Sequence, residues 1–172
     1  AYMQNGGKIT ACDMYKHKLK LIEKGAKRLG INIIETCLRD GASADKELPS
    51  ADRILCDVPC SGLGVLSRKP EIRYKDDLID TDLADIQYKI LCESAKYLKK
   101  GGKLVYSTCT LNPQENNINT AKFLAEHNDF EGVELELPPE LKRAFDEKPY
   151  EITLMPHTFD GDGFYIAVLT RR

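Results

Sequence analysis

Apolar positions along this chain fall into two alternating patterns, short β-rich runs and longer segments at helical spacing. Residues 8–13 are a short apolar run ending in an acid, Asp13. Leu19, Ile22, Ala26 and Leu29 then recur at helical spacing and predict a helix over 15–29, with Gly30 placed as its C-terminal cap. Residues 31–37 are β-rich and lead to Asp40, a polar connection covers 41–51, and 52–57 reads as another strand before a long loop to Tyr74. Leu83, Ile86, Ile90, Leu91 and Leu98 predict the next helix, with Asp82 as N-cap, Asp85 near its positive start, and Gly101-Gly102 as its stop. Residues 103–106 form a strand. Asn112 caps a further helix reaching about Asn128, with Pro113 in its first turn and Glu115 completing a capping-box-like pair. Residues 130–137 alternate like a half-buried strand and 163–170 are a near-continuous apolar strand. Pro138, Pro139, Pro149 and Pro156 mark the stretch between them as irregular.

This alternation predicts an α/β sandwich with a mostly parallel sheet, closed by an antiparallel hairpin of the last two strands. The 172 residues suit one domain with a sizeable core, and 42% apolar and 30% charged content is that of a soluble globular chain. No apolar run approaches the roughly 20 residues that span a bilayer, and no signal peptide is visible, so the expectation is a cytoplasmic protein without a membrane partner.

A net charge of −2 gives no global basic field. The cations are uneven, however. Lys16, Lys18, Lys20, Lys24, Lys27 and Arg28 crowd the first helix, as a solvated face would. Arg68, Lys69, Arg73 and Lys75 follow a cysteine motif and are candidate phosphate contacts.

Six cysteines in a chain rich in regular elements do not suggest a disulfide scaffold. Cys12, Cys37, Cys56 and Cys92 read as reduced core residues. Cys60 and Cys109 differ. They lie in Asp57-Val58-Pro59-Cys60-Ser61-Gly62 and Ser107-Thr108-Cys109-Thr110, each just past the end of a predicted strand. In an open parallel sheet the carboxyl ends of strands face the ligand crevice, so two thiols and the Asp57 carboxylate would converge there. That suggests covalent chemistry on an electrophilic carbon. A zinc site is disfavoured, because no paired C-x-x-C or nearby histidine completes one and His17, His127 and His157 are scattered. Asp13 and Asp40, ending successive strands, could accept from ribose hydroxyls and an adenine amino group, or simply cap helices. Gly6-Gly7-Lys8 precedes a strand, which suits a turn better than a phosphate loop.

Three segments together, Asp57 to Gly64, Arg68-Lys69-Pro70-Glu71-Ile72-Arg73-Tyr74 and Tyr106-Ser107-Thr108-Cys109-Thr110, resemble the RNA cytosine-5 methyltransferases of the NOL/NOP/Sun group, in particular its bacterial small-subunit ribosomal RNA branch. The Asp13 segment, Pro113-Glu115-Asn116 and Asp162-Gly163-Phe164-Tyr165 fit as well, so the resemblance covers nearly the whole chain. It implies a class I, Rossmann-like methyltransferase fold, S-adenosyl-L-methionine as methyl donor, and RNA, most simply 16S ribosomal RNA, as substrate. By motif, Asp13 would bind the ribose hydroxyls and Asp40 the adenine, while Asp57 would lie between cofactor and target base. Cys109 would be the nucleophile and Cys60 the second cysteine that helps release product. A thiolate adding to carbon 6 makes carbon 5 of cytosine nucleophilic enough to take a methyl group.

The family's cofactor loop, a strand and a glycine-rich turn ending in lysine, would precede Ala1, as would an N-terminal RNA-binding part. The expectation is therefore that residues 1–172 are a partial catalytic domain lacking its first strand and cofactor loop. The missing strand would be central, between 8–13 and 52–57, and its absence would leave this piece weak in cofactor binding and inactive alone. Two other readings stand beside the enzyme: a catalytically silent RNA-binding or ribosome-assembly module of the same descent, and a different cysteine-dependent transferase on this fold.

Overall fold

In Ala1–Glu47, the first of two compact units, strand β1 (Ile9–Asp13) pairs in parallel with β2 (Ile34–Leu38), and helix α1 (Lys16–Arg28) connects them. The computed structural model describes residues 3–43, 48–74, 81–139, 141, 147–158 and 161–172. Lys75, one of the expected phosphate contacts, and part of the 41–51 connection lie outside them. Helix α1 ends as its sequence predicts. Gly30 takes φ +67°, Ile31 N donates to Ala26 O over 2.9 Å and Gly30 N to Lys27 O over 3.2 Å, the two bonds of a Schellman closure. Lys27 and Arg28 sit in its last turn, favourable to the helix dipole. Leu19 is its buried anchor.

The second unit, Leu48–Arg172, is a five-stranded mixed sheet with helices on one face. Strand β3 (Ala51–Asp57) runs parallel to β4 (Leu98–Thr108), and β7 (Phe164–Arg171) runs antiparallel to β4 on its other side. The far edge of β7 is shared by β5 (Phe130–Gly132) and β6 (Glu151–Leu154), both antiparallel to it. Helices α2 (Thr81–Ala95) and α3 (Asn117–Glu126) contribute Leu91, Ala95 and Phe123 to the core. The sheet contributes Cys56, Leu104, Tyr106, Tyr165, Ala167 and Leu169 to the same core. Small Ala167 stands opposite Tyr106 in the ladder, and the Tyr106 ring meets Tyr165 edge-on at 6.3 Å. On the other face of β3, Leu55 is 70% exposed. Among the described residues, β1 is hydrogen-bonded to β2 alone and β3 to β4 alone, and no helix is long and apolar enough to cross a membrane.

The α/β class and the antiparallel C-terminal strand are as the sequence predicts, but several boundaries are not. Helix α2 stops at Ala95, and Leu98 opens β4 instead of closing the helix. Leu98 is still buried, so its apolar position fitted both readings. Gly101-Gly102 lie inside β4, where Gly101 has φ +73° beside a register shift between Ala51 and Arg53. Asp82 is in the first turn of α2 and not its N-cap. Strand β5 ends at Gly132, well short of 137, because β6 takes over the edge of β7: Val168 N donates to Tyr150 O over 2.9 Å. Strand β6 itself lies between Pro149 and Pro156, in the stretch read as irregular. Cys56 is buried as expected and Cys37 and Cys92 are half-buried, but Cys12 is exposed, corresponding to an edge strand and not to the core.

Candidate active site

Both cysteine loops begin at one level of the sheet, because the parallel register pairs Cys56 with Tyr106 and Asp57 with Ser107. Val58 N adds one more rung to Ser107 O at 3.3 Å, and Pro59, which has no N–H, cannot continue the ladder. Cys60 thus lies three residues past Asp57 and Cys109 two past Ser107. Their sulfurs are 2.9 Å apart, both thiols free and half-buried. Asp57 is exposed at the same strand end, where its Oδ1 accepts from Ser107 Oγ at 3.3 Å. The structure therefore brings the two sulfurs together and sets Asp57 at the end of the same strand pair.

Side chains to which the sequence assigned no part in the site hold these loops. Gln87, on α2, is fully buried and its Nε2 donates to Pro59 O and to Glu115 Oε2, each at 2.7 Å. Glu115 is 1% exposed; its Oε2 also accepts from Ser61 N at 2.9 Å, and its Oε1 from Asn112 Nδ2 at 3.0 Å. Tyr106 OH donates to Glu115 O at 2.6 Å. The neighbouring Asn116, 2% exposed, accepts from Thr108 Oγ1 at 2.6 Å and donates from Nδ2 to Thr110 O at 2.9 Å. The capping expectation is corrected here. Asn112 caps a 3-10 turn, Pro113–Glu115, through Gln114 N at 3.1 Å, and α3 starts only at Asn117. The Glu115 carboxylate turns inward to the loops. A Pro-x-Glu-Asn run directly after a cysteine motif was the available signal, and the capping box absorbed it.

Burial, and then the hydrogen bond to Cys109, push the Cys60 thiol up to about 12, so Cys60 keeps its proton at neutral pH and can donate it toward the Cys109 sulfur. Close by, Gly62 takes φ +77° and Gly64 N donates to Cys109 O at 3.0 Å. Arg68 is exposed but its Nε lies 2.9 Å from Asp162 Oδ2, whereas Lys69 and Arg73 are exposed in and beside the 3-10 turn Pro70–Tyr74.

In the first unit, Asp13 closes β1 and Asp40 lies two residues past the end of β2, with Arg39 N donating to Asp13 O at 3.1 Å. Asp13 Oδ1 accepts from Tyr15 N at 2.8 Å and its Oδ2 is 3.8 Å from Lys18 Nζ; Asp40 Oδ1 accepts from Ala42 N at 2.9 Å. Both carboxylates order the turns that follow their strands. Two acceptors on adjacent strand ends also fit the hydroxyls and amine of a nucleoside.

The chain is 42% identical over 176 residues to the "Probable ribosomal RNA small subunit methyltransferase B" of Bacillus subtilis, covering 99% of this chain and 39% of that protein. It is 36% identical to the corresponding protein of Synechocystis, with 98% and 39% covered. The crystal structure of NSun6 from Pyrococcus horikoshii with SFG superposes with a TM-score of 0.85 at 30% identity, over 99% of this chain and 43% of that one. The chain thus spans about two fifths of the length of the relatives it matches. The family model for the 16S rRNA methyltransferase RsmB/F matches residues 1–170, and the chain belongs to that family.

Proposed function

We propose that this chain carries the catalytic cysteines of an S-adenosylmethionine-dependent methyltransferase acting on carbon 5 of a cytosine in small-subunit ribosomal RNA, with Cys109 as nucleophile. The observation that carries the reading is the 2.9 Å approach of the Cys60 and Cys109 sulfurs past two parallel strand ends, with Asp57 closing one of those strands. When bound, S-adenosylmethionine would supply an electrophilic methyl group. Asp13 would accept from its ribose hydroxyls and Asp40 from its adenine amine. Asp57 would accept from the exocyclic amine of cytosine and orient the ring.

The chemistry follows from the thiol pair. The Cys109 thiolate adds to carbon 6, and the displaced π electrons make carbon 5 the nucleophile. Once carbon 5 carries the methyl group, its proton must leave. A base takes it: the electron pair of the C–H bond re-forms the 5,6 double bond, and the S–C6 bond breaks to return Cys109 as thiolate, which the Cys60 S–H assists by hydrogen bonding to the departing sulfur. Lys69 and Arg73 would contact RNA phosphates, and Arg68 would do so on leaving Asp162.

The test uses the native protein that carries this chain, S-adenosylmethionine, and small-subunit ribosomal RNA containing 5-fluorocytosine, whose fluorine cannot leave as a proton. A covalent protein–RNA band is expected, and Cys109→Ala should abolish it. Binding of the RNA without any band would favour the silent assembly module instead.

A further inference from the structure

We infer that two adjacent buried residues divide the positioning of the catalytic thiols: Glu115, with Gln87, holds Cys60, and Asn116 holds Cys109. The inference deepens the reaction proposed above and rests on it. Its ground is that each cysteine is bracketed on both sides. Pro59 O, before Cys60, accepts from Gln87, and Ser61 N, after it, donates to Glu115. Thr108, before Cys109, donates through its hydroxyl to Asn116, and Thr110 O, after it, accepts from the Asn116 amide.

The brackets are needed because neither loop has a ladder of its own. Proline at 59 ends the β3 pairing and Gly62 turns at positive φ, so Cys60 sits on backbone fixed mainly by side chains. All three positioning side chains are essentially excluded from water, where hydrogen bonds hold geometry tightly and mismatched partners are costly. Past the Val58–Ser107 rung, the backbone bond between the loops among the described residues is Gly64 N to Cys109 O, and the Ser61 and Thr110 hydroxyls lie 2.7 Å apart. Loosening one bracket should therefore shift one sulfur more than the other.

The two steps can be read separately. Trapping by 5-fluorocytosine RNA needs Cys109 alone, whereas release from ordinary RNA needs Cys60. Gln87→Met and Glu115→Gln should trap fluorocytosine RNA at near the unmodified rate, lose roughly tenfold or more in turnover, and accumulate adduct with ordinary RNA, as Cys60→Ala would. Asn116→Asp, which keeps the acceptor for Thr108 but repels Thr110 O, should slow trapping by roughly tenfold or more and accumulate no adduct. Glu115→Gln sets its new amide against Asn112 Nδ2, so adding Asn112→Asp restores a donor–acceptor match and should restore turnover. General loss of fold would depress trapping and release together, and the double variant would not recover. Equal losses in both steps, or wild-type partitioning in all variants, would overturn the division of labour while leaving the reaction intact. Failure of the unmodified protein to trap fluorocytosine RNA would overturn the reaction itself.

Discussion

The amide of Gly64 donates to the carbonyl of Cys109 over 3.0 Å, so the loop carrying one thiol is hydrogen-bonded to the backbone of the residue carrying the other. Gly64 O in turn accepts from Gly163 N at 2.7 Å, bringing three segments of backbone into direct contact at the start of β7. No side chain fits between them.

Gly64→Ala should therefore be severe. An added Cβ would lie 2.1 Å from Gly163 O and 2.9 Å from Cys109 O, and neither neighbour is a flexible side-chain end that can swing aside. Overpacking of this kind costs about 3 kcal/mol. Urea denaturation should show that loss, and the trapping rate with 5-fluorocytosine RNA should fall as Cys109 O is displaced. An unchanged midpoint would mean that the loops do not need this contact.

Alkaline pH should destabilise the second unit through Cys56. Burial pushes its thiol from 9.0 up to about 11. Below pH 9 the thiol is protonated in both states and its contribution is complete. Between pH 9 and about 11 only the unfolded chain releases the proton, which draws the equilibrium toward unfolding; the whole span is worth about 3 kcal/mol. Denaturant titrations from pH 8 to 11 on the protein and on Cys56→Val check this, since the valine variant should lose less stability over that window.

Tyr165 anchors β7 to a buried carboxylate. Its hydroxyl donates to Glu151 Oε2 at 2.6 Å and lies 2.8 Å from Thr120 Oγ1, joining β6, β7 and α3. Burial, reinforced by that carboxylate, drives the phenol pKa up, so the group remains a donor throughout the accessible range. Tyr165→Phe keeps the ring in the core and removes only the hydrogen bonds. The expected loss is about 2 kcal/mol, read as a lower denaturation midpoint with an unchanged m-value.

The basic residues after Cys60 should not contribute equally to RNA binding. Arg68 is paired with Asp162, while Lys69 and Arg73 are exposed. Lys69→Ala or Arg73→Ala should weaken RNA binding and reduce the slope of log affinity against log salt by about 0.7 to 1 for each phosphate no longer neutralised. Arg68→Ala should do less, because its charge is already offset. Asp162→Asn should steepen the slope by freeing Arg68. Titrations at several salt concentrations distinguish these cases, and identical slopes for all four variants would refute the phosphate assignment.

Local pattern carried much of this architecture. The helical spacing of Leu19, Ile22 and Ala26 with Gly30 behind it defined α1, and the β-rich runs ending at Asp57 and Tyr106 located the two loops that matter. Residue type together with position past a strand end marked Cys60 and Cys109, because a thiol in a polar, turn-forming neighbourhood is not core filling. Where apolar positions suited either period, as at Leu98, the boundary moved, and β6 escaped notice between two prolines because its pairing is supplied by β7. Glu115 shows the same division at the site. Its spacing from Asn112 satisfied a local capping rule, yet its carboxylate serves Ser61 and Gln87, 54 and 28 residues away in the chain. Sequence by itself determined most of the elements and which side chains can do chemistry, since those depend on short-range periodicity and intrinsic reactivity. The tertiary structure alone decided the 2.9 Å meeting of the sulfurs and the side chains that hold them, because a buried hydrogen bond takes whichever partner packing brings within reach.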